Sequence, residues 1–302
     1  MNHENPSRTV LSNAARNPGL TAPEMSHLAR PDPTTASRAP NVEIQVNRWV
    51  RKNIGYVLIP IALIFALLTW ELVILVNQYP AFLLPTPRQV AAAFVENWNN
   101  GIIPRHLRIT LFEIALGFSI SFAFAAGVGY ILAKSPLLEK IVSPYLIATQ
   151  AIPIVAIGPL IIIWINTGPA QNALIATLVS FFPMLVNTIV GVRGVREEYR
   201  ELMRSYSASA WQVFTKLEVP AALPVFFGGV RVGVTLSVIG VVVVELLWAD
   251  RGLGFLLNFA RGALDTPLLF ATVATLSAMA IGLYIAVAIL EKQIIRWRRN
   301  EP

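Results

Sequence analysis

The chain has 302 residues, of which 55% are hydrophobic and 14% charged, with a mean hydropathy of +0.60. A soluble domain carries about 25% charged residues, so this composition excludes an ordinary soluble enzyme and points to a surface that meets lipid. The net charge of +7 is distributed as membrane orientation requires rather than as a nucleic-acid groove, and zero cysteine with three scattered histidines (His3, His27, His106) leaves no metal site to expect.

Residues 1–47 are polar and hold six prolines before Val42, with no apolar run of the ~7–15 residues that a signal peptide needs. They read as a disordered tail. Residues 48–302 then read as one all-α membrane domain, because six apolar runs approach the ~20 residues that cross a ~30 Å hydrocarbon core. The runs are about 54–76, 114–133, 141–165, 172–192, 225–248 and 267–290. The fifth contains Arg231 and Glu245, which fit a span if they lie toward opposite interfaces.

Six spans place both termini on one side. With the N-terminus inside, nineteen Lys and Arg are cytoplasmic and five (Arg88, Arg105, Arg108, Arg251, Arg261) are external. The positive-inside rule therefore predicts cytoplasmic termini and a multi-pass protein of the cell (inner) membrane.

Small residues recur every fourth position in three spans: Gly117, Ser121, Ala125, Gly129 and Ala133; Gly229, Gly233 and Ser237; Ala274, Ala278, Gly282 and Ala286. Such stripes predict close helix packing, with Gly117, Gly129, Gly233 and Gly282 the closest points, mostly within the chain and in part between two copies. The third span carries Pro144, Pro153, Gly158 and Pro159, and the fourth has Pro183 before Asn187. Interrupted helices with polar side chains at membrane depth make Gln150, Pro153 and Asn187 candidates for a solute pathway.

Between the fourth and fifth spans, residues 193–223 form a cytoplasmic segment whose apolar positions (Tyr199, Leu202, Met203, Tyr206, Ala210, Val213, Phe214, Leu217) keep a helical period. Ser209 with Gln212 makes a capping box, so the chain should break at Ser207, Ala208 and Ser209 and start a second short helix that Pro220 closes. An amphipathic helix of this kind also fits a membrane surface.

Glu201-Leu202-Met203, Ser207, Leu217 and Val219-Pro220 keep the spacing of the E-A-A-x3-G-x9-I-x-L-P loop, and the segment resembles that of permease subunits of ATP-binding-cassette (ABC) importers. Leu84-Pro85-Thr86-Pro87, Thr110-Leu111, Gly117-Phe118, Pro153, Pro159-Leu160, Trp164 and Glu245 with Gly252-Leu253-Gly254 extend the resemblance over the chain from about residue 50. The branch is that of nitrate, sulfonate, taurine and vitamin or vitamin-precursor importers. Leu202 and Met203 in place of two alanines, Ser207 in place of glycine, and Glu113 where many members carry arginine are departures. The resemblance implies the type I ABC importer fold, an ATPase partner docked on the segment, a solute-binding protein on the other face, and a likeness to dimeric permeases. It also implies that Trp211 and Phe214 anchor the ATPase, with Phe214 foremost because it shares a stripe with Ala210, Val213 and Leu217, and that Glu201 holds the loop.

No G-x-x-x-x-G-K-[ST] loop occurs, so ATP is expected on a partner chain, with no catalytic residue and no cofactor on this one. The expected cargo is a small solute: a sulfonate, nitrate, or a vitamin or precursor such as riboflavin or a thiamine precursor. The expected surroundings are membrane lipid and no nucleic acid. An ion-gradient-driven carrier is the alternative, and it would need coupling carboxylates near the midplane, whereas four of the six spans lack any charge.

Overall fold

A computed structural model describes residues 42–165 and 168–295, and the positions of the expected tail before Val42 and of Arg296, Arg298 and Arg299 lie outside them. The chain divides into two units, one ending at Phe65 and the other starting at Ala66. Among the described residues there are helices and no strand. The first helix, α1 (Val42–Asn77), begins five residues before the expected end of the tail, where prolines cease after Pro40.

The second unit continues with α2 (Pro87–Asn99), α3 (Ile102–Lys134), α4 (Pro136–Ala151), α5 (Ile154–Ile165) and α6 (Pro169–Arg193). Then come α7 (Glu197–Ser205), α8 (Ala210–Val213), a π turn (Phe214–Glu218), α9 (Val219–Trp248), α10 (Leu253–Gly262) and α11 (Thr266–Ile294). Local chemistry starts several of these. Thr86 and Gln89 form a reciprocal capping box before Pro87, and the side chains of Ser135 and Asp265 accept the third amide of α4 and α11.

Among the described residues five helices are long and apolar enough to cross a membrane, and a sixth crossing exists if α4 and α5 count as one bent pair. The expected span 141–165, whose prolines predict a kinked or broken helix, is broken: its halves meet at an angle of 99°. Pro153 supplies the cause, because it has no N–H and forces the preceding Ile152 into an extended conformation (φ −81°, ψ 119°). At 16 and 12 residues the halves are ~24 and ~18 Å long, each short of a ~30 Å core.

The core is a three-helix contact in which α6 packs against both α3 and α9. Glycines set its spacing. A Cβ at Gly117 would lie 2.3 Å from the Ala173 carbonyl oxygen, at Gly129 2.7 Å from Thr188 Cβ, and at Gly229 2.6 Å from Asn187 Cβ. Backbones this close exclude any larger residue and give the dispersion contacts that hold helices together in lipid. Gly233 meets Met184 of α6 in the same way, whereas a Cβ at Gly282 would meet nothing within 4 Å. An apolar groove of about 870 Å³ runs past Gly282, with Leu67, Trp70, Phe94 and Trp98 on its other walls.

Candidate functional site

Two polar clusters occupy opposite ends of α9. At its N-terminal end, α7 stops in a Schellman arrangement: the Ala208 amide donates to Met203 O (3.0 Å) and the Ser207 amide to Arg204 O (2.8 Å). Ser207 stands at the left-handed position with φ +53°. This is the slot glycine fills without cost. Ser209 and Gln212 then form a reciprocal capping box, at 2.8 and 3.3 Å, and α8 begins.

The second short helix does not end at Pro220. The Val219 amide donates five residues back to Phe214 O, and α8, the π turn and α9 run on as one 39-residue helix. Pro220 enters in the first turn after the register change, where its missing N–H is tolerated, so it marks a join and not a stop.

The expected anchors separate. Trp211 is 70% exposed, while the Phe214 ring is half-buried, edge-on to Tyr130 of α3 at 4.9 Å and beside Trp211 at 5.4 Å. Leu217 is half-buried and Ala208 partly covered. Tyr199 and Leu202 of α7 and Tyr206 at its C-cap are exposed with Trp211, giving apolar surface on an otherwise charged segment. Glu201 is exposed and makes no ion pair among the described residues.

The segment is held instead by Glu218, which sequence reasoning missed. Its carboxylate is 1% exposed and accepts from Lys134 Nζ (2.5 Å) and Tyr130 Oη (2.9 Å), with Arg200 Nη2 at 3.6 Å. Arg200 also donates to Val192 O (3.0 Å), and Arg193 donates to Leu132 O and Ala133 O (3.2 Å each) and pairs with Glu139. Cations therefore satisfy the exposed carbonyls at the C-terminal ends of α3 and α6. On the surface of α7, the Arg196 guanidinium holds the Glu198 carboxyl below its ordinary range. The hydrogen-bond donors to Glu218 lie 84 and 88 positions away and Arg200 lies 18 away, so only the spacing of apolar residues pointed to this region.

At the other end of α9, three side chains receive the first amides of α10. His106 Nδ1 accepts from the Gly252 N–H (3.0 Å), Thr110 Oγ1 from Leu253 (2.8 Å) and Glu245 Oε2 from Gly254 (2.8 Å). Thr110 in turn donates to Glu245 Oε1 (2.7 Å). Gly252 has φ +95°, and a Cβ there would fall 2.0 Å from Glu245 Oε1, so this carboxylate requires the first glycine; a Cβ at Gly254 would fall 2.6 Å from both Glu245 Cβ and the Val242 carbonyl oxygen, so the close backbone of α9 requires the second. Glu113, also fully buried, accepts from Asn172 Nδ2 (2.8 Å). In the adjoining loop the Arg251 guanidinium holds the Asp250 carboxyl low.

The pathway candidates are not brought together. Gln150 and Pro153 are exposed at the α4–α5 break, while Asn187 sits at the α6–α9 crossing, donates to Pro183 O (2.7 Å) and packs on Gly229. Among the described residues no group of three or more His, Cys, Asp or Glu could hold a metal ion.

Comparison with known proteins agrees with this architecture. Residues 121–299 match the family described as the binding-protein-dependent transport system inner membrane component. A riboflavin transport system permease protein of Chloroflexus aurantiacus is 40% identical over 80% of this chain and 90% of its own length. A formylaminopyrimidine transport permease protein of Halalkalibacterium halodurans is 31% identical (77% and 92%), and a taurine transport system permease protein of Escherichia coli 28% (83% and 91%). With a bundle of apolar helices and a match across most of its length, the chain belongs to the binding-protein-dependent permeases, the multi-pass inner-membrane subunits of ABC importers.

Proposed function

We propose that this chain forms the membrane path of an importer for an aromatic heterocyclic vitamin or precursor, riboflavin first, delivered by an external binding protein and driven by a separate ATPase. The docking segment carries the reading: a capped turn presents Tyr206 and Trp211 outward at the end of a helix that continues through the membrane. That is an apolar, aromatic surface of the kind that dominates protein interfaces, and the ATPase is the partner it fits. The exposure of Trp211 shifts the leading anchor from Phe214 to Trp211. Riboflavin is favoured over sulfonates because the riboflavin permease has 40% identity against 28% for the taurine permease.

Both termini are cytoplasmic in this reading, on the nineteen-to-five division of basic residues. Two copies enclose the path, supported by the unoccupied small-residue face at Gly282, and Gln150 and Pro153 stay the pathway candidates. The test is uptake of labelled riboflavin by proteoliposomes holding the permease, its cognate ATPase and binding protein. ATP-dependent uptake is expected. Uptake that continues without the ATPase and collapses with the proton gradient would instead favour the secondary carrier.

A further inference from the structure

Glu218 joins three parts of the protein through one carboxylate. It belongs to the π turn that ends the docking segment, Lys134 and Tyr130 belong to the last turns of α3, and Arg200 belongs to α7 and caps α6 through Val192 O. Arg200 is itself flanked by Glu197 at 3.9 Å, which also meets Arg204 at 3.5 Å, so the cluster has charges of both signs. Glu218 is almost wholly enclosed, and a buried carboxylate that loses its partners costs far more than an exposed one. The segment therefore cannot shift away from α3 without stranding that charge, and a displacement imposed on the segment must carry α3 and α9 with it.

We propose that Glu218 is a positioning residue for energy coupling: through Lys134, Tyr130 and Arg200 it makes the docking segment, α3 and the start of α9 move as one piece. This rests on the reading that the segment docks an ATPase. It assigns to Glu218 a role different from docking, because its carboxylate faces into the bundle and makes no part of the exposed aromatic face.

The experiment uses the reconstituted complex of permease, ATPase and binding protein, and reads the ratio of ATP hydrolysis with and without the binding protein. Glu218→Gln should insert and keep the ATPase bound while that ratio falls to about 1. Glu291→Gln, which removes the Arg231 ion pair between α9 and α11, thirteen positions along the chain from Glu218, should leave the ratio within twofold of wild type. Because the amide variant could fold poorly, Glu218→Leu combined with Lys134→Met replaces the pair by apolar side chains; it should restore the thermal midpoint and not the ratio. Wild-type stimulation in either Glu218 variant overturns the proposal, as does an equal loss in Glu291→Gln. Trp211→Asp tests the underlying reading separately: a fully coupled complex in that variant removes docking, whereas loss of the ATPase there with normal coupling in Glu218→Gln removes only the role of Glu218.

Discussion

Among the described residues three side chains sit on left-handed backbone that disfavours them: Gln78 (φ +51°) just after α1, and two more. Ser207 (φ +53°) and Leu264 (φ +56°) each occupy the left-handed slot after a helix, and the Asp265 amide repeats at Ala260 O the bond that Ala208 makes to Met203 O. Ser207→Gly and Leu264→Gly should each raise stability by ~0.5–1 kcal/mol, the steric relief being partly offset by the freer unfolded chain, as thermal unfolding in detergent would register. The opposite holds at Thr110, whose hydroxyl both accepts from Leu253 and donates to Glu245. Thr110→Val keeps the shape and strands a buried amide, so a loss of ~1–3 kcal/mol is expected, with faster amide exchange at the start of α10.

At the scale of elements, glycine contacts distinguish two kinds of stripe. Gly129→Leu must push α3 off α6, because a Cβ there already meets Thr188 at 2.7 Å, and overpacking by ~1–3 kcal/mol is expected in the single subunit. Gly282→Leu faces open space, so the subunit should fold normally and only association with another helix should weaken. Chemical cross-linking against thermal stability separates the two. The four-residue spacing that raised both glycines cannot tell them apart, since it reports a face and not what covers it. The capping box at Ser209 was legible because its two residues are three apart, and the break at Pro153 because proline acts on its neighbours. The cap of α10 by His106, Thr110 and Glu245 was not: its partners are 146 and 143 positions from the amides they bind, and a lone His and Thr in an apolar run carry no local signal. Pro220 misled for a related reason. A proline stops an α-helix, and the change of register that lets it stay is the π turn Phe214–Glu218 just before it.

For the whole molecule, orientation is the broadest expectation. A reporter active only when exported should be silent when fused after Arg299 and active when inserted in the loop before α2, near Leu84; the reverse pattern would invert the topology derived from the basic residues. The helix from Ala210 to Trp248 then acquires a further meaning. Its 39 residues measure ~58 Å, and near its middle Gly229 and Gly233 rest directly on α6. A rod pinned at its centre is a lever. A tilt of about 5° about that fulcrum swings each end by ~2.5 Å in opposite senses, since each arm is about 30 Å at 1.5 Å per residue. Trp211 rides on one end and the carboxylate that holds α10 on the other, so a nudge delivered at the Trp211 end is returned, reversed in direction, at the other.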